Sequence, residues 1–486
     1  MPSQPGSPAP VSNMTRILAP MVPLAIALAH GAITGSAPQP APVPATPPSA
    51  PVAMQQIAPC GGGTPDSPPC QAPYPMLAKG HPVAWWFVFK FNSAAFPGCS
   101  AGATRSCPFG GTPQPYTAFG QQFAYASSEA PTLQQGDGCA GDTTGDPIGA
   151  TFDQVFNGAF HYLIWNDQFY DDPTIEGCTK ECGAPWGHSK GMLAWNDAGQ
   201  GLVLQVSTPS WPAAGSSKFP RKTDGNTLGC VKDNDVQVSQ HFFALQLSKD
   251  DLVKVLEGLG NASVVTDPHN TQIVSNGGPP DVQQLVANLG VKSASQSYSS
   301  TTLSSGVELI SKPSNLNVPP WQMVSAVLGG VPLRTATWWA SPEIYSTDAS
   351  TPVSCWSPSL STPGPVQIAT SGTWNGKTFG LTGGLGTNYN HAKLGVSTSG
   401  TNHYAIFGDM NQQGTLSGNE CSSSQNGRGG LFYALTNPQL SASLSSLISG
   451  TTAPTQPPAK ERGQRQVGRR SPGAERLDSW CELPLG

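Results

Sequence analysis

The sequence predicts a mixed α/β protein that uses one structural unit twice. Three observations carry this reading. Aromatic and β-branched runs of strand type recur along the chain, and between them lie stretches with helix start and stop signals. The pattern H-x-K occurs twice, in "GHSKGM" around His188 and "NHAKLG" around His391. Each copy is followed at nearly the same distance by an apolar strand ending in a small polar residue, Ser207 nineteen residues after His188 and Asp409 eighteen after His391.

In chain order, Arg16 precedes an apolar run over residues 17–29 that ends in Ala27-Leu28-Ala29, the pattern of a signal peptide covering residues 1–29. Met14 is an alternative start, and a buried apolar segment the bland alternative. Residues 30–75, with "APQPAPVPATPPSAPV", read as a Pro/Ala-rich linker. Strands are expected at residues 81–92, 158–167 and 201–207. Ser248 is placed to cap a helix over 249–257, with Asp250 and Asp251 in its first turn and Gly258 or Gly260 at its end. Residues 279–290 form a second helix with proline at its start, glycine at its stop and Val282, Leu285, Val286 and Leu289 on one face; residues 320–330 form a third. The Gly, Asn and Pro cluster at 276–280 is the expected seam between a first half, 76–276, and a second, 277–450. Residues 451–486 read as a disordered tail.

Composition narrows the function classes. The chain has 486 residues, only 11% of them charged, and a formal net charge of −5. No basic footprint of the kind that usually marks polyanion binding is present. Without Arg16 and the tail beyond Thr452, 17 Lys and Arg face 25 Asp and Glu. Oligomeric state is not encoded in any of these features.

Eleven cysteines agree with export to an oxidising compartment. Setting aside Cys481 in the tail leaves ten, an even number suited to disulfides whose pairing spacing alone does not give. Cys178, Cys182 and His188 have the residue types of a metal site, but C-x3-C-x5-H lacks a second ligand pair. Disulfides are the expected state and no metal is expected.

On a strand, H-x-K directs both side chains to one face, whereas on a helix they diverge. Two histidines and two lysines facing one another suit phosphodiester cleavage without a metal ion. One neutral imidazole attacks phosphorus and the other, protonated, donates to the leaving oxygen, while the ammonium groups hold the non-bridging oxygens. The absence of an Asp/Glu cluster around either motif agrees with this.

The segments "GHSKGMLAWNDAGQGLVLQVSTPSWP", "NHAKLGVS", "FGDMNQQ" and "NGRGGLF" together resemble the deoxyribonuclease II family, with "WWFVFK" and "SQHFFAL" as further points of likeness. The resemblance implies a phospholipase D-like fold, a pseudo-dimer of two α/β sandwich halves in one chain. It implies a metal-independent acid endodeoxyribonuclease that leaves 3′-phosphate and 5′-hydroxyl ends through a phosphohistidine, with no cofactor. His188, Lys190, His391, Lys393 and Asn411 are the implied catalytic residues. Pro209 stands where the first half should match Asn411, so Ser207 is the nearer candidate there. Asp409, Arg428 and Trp186 are further candidates for positioning or substrate contact. DNA is the implied partner; no membrane partner is expected. A secreted or periplasmic location is expected, lysosomal if the source is eukaryotic. Two other readings compete: another phosphodiesterase of the phospholipase D superfamily, or a secreted non-catalytic binding protein.

Overall fold

The computed structural model describes residues 72–455 except 101–105, 116–118, 179–180, 223–227 and 231–235. The expected signal peptide, nearly all of the linker and most of the tail lie outside the described residues. The chain forms β1 (Met76–Ala78), β2 (His81–Pro82), β3 (Trp85–Lys90), β4 (Phe123–Ser127), β5 (Gln134–Gln135), α1 (Pro147–Phe156), β6 (His161–Asn166), β7 (Lys190–Trp195), β8 (Gly201–Val206), β9 (Gln240–Leu247), α2 (Lys249–Asn261) and β10 (Val274–Ser275). It continues with α3 (Pro280–Ala287), β11 (Ser299–Thr302), β12 (Glu308–Lys312), α4 (Pro320–Val327), β13 (Leu333–Ala336), β14 (Val366–Ile368), β15 (Ser371–Trp374), β16 (Lys377–Gly380), β17 (Leu394–Ser397), β18 (Tyr404–Gly408), β19 (Gly430–Thr436) and α5 (Pro438–Leu447).

The expected mixed α/β architecture is built on two large sheets. The first runs β10-β6-β7-β8-β9-β3-β4-β5 and the second β11-β12-β19-β18-β17-β13-β14. One path recurs in both: the strand behind an H-x-K motif (β7, β17), its hairpin partner (β8, β18), then β9 or β19 leading into α2 or α5. β6 and β3 flank the first copy, β13 and β12 the second.

Period-2 alternation explains how the layers pack. Phe243 of β9 stacks on Phe407 of β18 at 4.4 Å, so these faces of the two sheets meet. Its neighbour Phe242 points the other way, to Trp211 at 5.8 Å, which meets Phe152 of α1 at 5.3 Å. On β19, Tyr433 lies 5.8 Å from Phe243, while Phe432 meets Trp321 of α4 at 5.3 Å. Both sheets are thus covered on both faces, which is why β3, β7, β8 and β9 are buried throughout and read as near-continuous apolar runs.

Ser248 caps α2 as expected, in a reciprocal capping box with Asp251. The helix runs past its expected stop, however, to Asn261. The Gly258 carbonyl accepts both the Ala262 N–H (3.0 Å) and the Ser311 hydroxyl (2.8 Å) of β12, so packing against the second sheet outweighs the poor helix propensity of glycine. Disulfides join Cys99–Cys139, Cys107–Cys230, Cys178–Cys182 and Cys355–Cys421. Such bonds persist in oxidising compartments. Among the described residues no helix is long and apolar enough to cross a membrane. The packed chain continues to Thr455, which bridges Ser346.

Candidate active site

The H-x-K motifs were expected within strands; they lie at the strand starts instead. Lys190 is the first residue of β7, and Leu394, one residue beyond Lys393, opens β17. What directs the motifs is a reciprocal pair of bonds across the sheets. The His188 N–H donates to the Gly429 carbonyl (2.8 Å), just ahead of β19, and the His391 N–H donates to the Ser239 carbonyl (2.7 Å), just ahead of β9. Each receiving segment is braced by a fully buried lysine ending the adjacent strand. Lys90 Nζ donates to the Gly120, Val236 and Val238 carbonyls, and Lys312 Nζ to those of Pro313, Asn426 and Arg428. Three backbone acceptors compensate each buried ammonium, yet burial still pushes Lys312 down to about 7.

His188 and His391 both line one cleft of about 540 Å³ that opens to solvent, together with Lys393, Asn411, Ser207 and Trp338. Arg428 and Glu181 also border it. His188 Nδ1 lies 2.7 Å from the Asp409 carbonyl oxygen. A carbonyl only accepts, so this nitrogen carries the hydrogen and the neutral ring keeps its lone pair on Nε2. Burial, then the Lys190 ammonium, holds His188 well below the ordinary imidazole value. Burial, then Lys393, does the same to His391. Trp338 packs edge-to-face on His391, ring centroids 4.3 Å apart.

The two lysines are held differently. Lys190 is buried and donates to Asp167 Oδ1 at 2.6 Å, while Arg428 Nη2 donates to Asp167 Oδ2 at 2.8 Å. Burial alone would raise the Asp167 carboxyl, but Lys190 and Arg428 hold it well below the usual carboxylate range. Lys393 Nζ donates to its own motif's His391 carbonyl at 2.5 Å, and its backbone N–H donates to His241 Nδ1 at 3.1 Å. Burial, with Lys393 beside it, pushes His241 down to about 3, so this ring is neutral.

Ser207 and Asp409 occupy matching positions just after β8 and β18, and both brace backbone. Ser207 Oγ accepts the His241 N–H (2.8 Å) and donates to Gln240 Oε1 (2.6 Å); Asp409 Oδ2 accepts the Leu431 N–H (2.8 Å) and its Oδ1 accepts from Gln205 (3.0 Å). Burial raises the Asp409 carboxyl to about 7. Asn411 Nδ2 donates to Gln413 Oε1 (2.9 Å), leaving its second hydrogen for another acceptor. Arg428, besides Asp167, ties the Cys182, Trp186 and Gly187 carbonyls. Trp186 stands off the cleft, with Lys292 over its ring at 5.2 Å.

The structure therefore brings six of the nine sequence candidates to the cleft: His188, His391, Lys393, Asn411, Ser207 and Arg428. Lys190 and Asp409 sit behind it, bonded to its lining residues or their neighbours. Asp167, His241 and Trp338 were missed, since a strand-end Asp, a strand His and a loop Trp carry no local mark of a site. Cys178 and Cys182 are joined to each other, which removes them from the metal-ligand set considered with His188. Among the described residues no group of three His, Cys, Asp or Glu is placed to hold a metal ion.

A protein-family model described as Deoxyribonuclease II matches residues 75–453. No curated protein matches the chain.

Proposed function

Since the chain belongs to the deoxyribonuclease II family, whose members are acid deoxyribonucleases, we propose that it cleaves DNA through a phosphohistidine formed on His188, without a metal ion. The observation that carries this is the Nδ1 hydrogen bond from His188 to the Asp409 carbonyl, which leaves Nε2 as the nucleophilic lone pair inside the cleft. Nε2 attacks phosphorus as the bond to the 5′-oxygen breaks, and protonated His391 supplies the proton to that oxygen. Lys393 and the Asn411 amide hold the non-bridging oxygens. Lys190, paired with Asp167, fixes the first motif from behind the cleft. His391, now neutral, then takes a proton from water; the water oxygen bonds to phosphorus, the N–P bond breaks, and a 3′-phosphate leaves.

End analysis with chelation tests this reading. In EDTA, fragments of a defined duplex should accept a 5′-phosphate from a kinase without prior phosphatase treatment, yet resist polymerase extension until their 3′ ends are dephosphorylated. Fragments that a polymerase extends at once, or cleavage abolished by EDTA and restored by magnesium or zinc, would overturn it. We read the enzyme as secreted or periplasmic, in keeping with the four disulfides among its described residues and the leader expected from the sequence.

A further inference from the structure

The two motifs repeat, but what stands beside them does not. In the first sheet Asn166 pairs with Lys190, so the next residue, Asp167, lies opposite Ser189, the middle of the first motif. In the second sheet Ala336 pairs with Leu394, and extending that ladder puts Trp338 opposite Ala392, the middle of the second. One position thus carries a buried carboxylate locked to Lys190 and Arg428, and its counterpart a half-buried indole that borders the cleft. The ring meets His391 edge-to-face, and Gly383 is packed so closely on it that a Cβ there would meet the indole at 2.6 Å. It is a rigid aromatic surface beside the proton donor.

We propose that Trp338 is a substrate-contacting residue that holds the nucleotide on the leaving-group side of the scissile phosphate, the one that departs with the 5′-hydroxyl. This rests on the assignment of His391 as the acid: a base held against a ring that touches His391 belongs to the nucleotide whose 5′-oxygen His391 protonates. Aromatic stacking accepts any base, because every base has a π-face, and the indole N–H adds a donor for a phosphate or base oxygen. The matching position in the first half, filled by Asp167, offers no such surface, so the cleft grips the two sides of the cut unequally.

The test uses single-stranded oligonucleotides with one cleavable phosphodiester and, in separate substrates, an abasic tetrahydrofuran nucleotide on either side of it. An oligonucleotide abasic on both sides of that bond, which has no base there but keeps an alkoxide leaving group that needs the acid, is the control. Relative to wild type, Trp338→Ala should lose roughly tenfold in kcat/KM on the intact oligonucleotide, mainly through KM. It should lose little on the control. An abasic nucleotide on the leaving side should slow wild type by a similar factor and Trp338→Ala no further, and Trp338→Phe should keep most of the gain. Equal losses on oligonucleotide and control would make Trp338 a mere support for His391 and overturn the proposal. So would additive effects on both sides, or coupling confined to the phosphate-retaining side. A wild-type enzyme that cleaves neither these oligonucleotides nor duplex DNA would instead overturn the nuclease reading, and this proposal with it; cleavage of duplex alone would overturn this proposal only, because bases stacked within a duplex leave no free face for the indole.

Discussion

His188 and His391 share a spacing and a degree of burial but not their surroundings. His188 is fixed by its donated bond to the Asp409 carbonyl, whereas an indole packs on His391. Both sit in the cleft wall, at 8% and 7% exposure, and neither contributes to the aromatic core between the sheets. Replacing either with alanine should lower plasmid nicking by roughly 10³-fold or more while leaving a cooperative thermal melt. Near wild-type nicking by either variant would remove that histidine from the chemistry. The spacing itself was legible in the sequence because H-x-K is local and occurs twice. Asp167 was not: it meets Lys190 across 23 positions of sequence and Arg428 across 261, and only strand register brings them together.

At the scale of elements, the starts of β9 and β19 do the positioning, since each receives the histidine of the other sheet's motif. The start of β19 leaves no room for a side chain: a Cβ on Gly429 would collide with the Ala262 carbonyl at the end of α2. Gly429→Ala should therefore displace the carbonyl that receives His188. A lower melting temperature, from a clash costing about 1–3 kcal/mol, should accompany a drop in kcat larger than the loss of folded protein explains. Unchanged kcat at full folding would show that the His188 placement survives without this contact. The strands and the capped start of α2 were readable from alternation and from Ser248. The continuation of α2 through Gly258 and Gly260 was not, because it depends on the Ser311 hydroxyl reaching the Gly258 carbonyl from a distant strand. Lys90 and Lys312 were equally hidden, since nothing local separates a lysine that braces carbonyls from one that faces water.

Across the whole molecule, acidity decides when the site is charged for its task. With both imidazoles held below their ordinary value, first by burial and then by lysines, both are neutral at neutral pH, and the proton that His391 must donate is absent. Lowering the pH supplies it, and toward pH 5 begins to neutralise carboxylates on a chain whose 17 bases face 25 acids outside the leader and tail. Cleavage should rise from pH 7.5 toward pH 5, with an alkaline limb falling by up to about tenfold per pH unit. A pH profile of kcat/KM checks this, and a maximum above neutrality would contradict it.

The crossed bonds from His188 to Gly429 and from His391 to Ser239 have a thermal consequence. Each sheet carries one histidine and the seat for the other, so loosening either sheet unseats a histidine of both motifs' shared cleft. Neither sheet could melt alone and leave a half-competent enzyme behind. Heat inactivation and loss of contact between the sheets are then a single event, and the residual activity of a warmed sample counts molecules still whole.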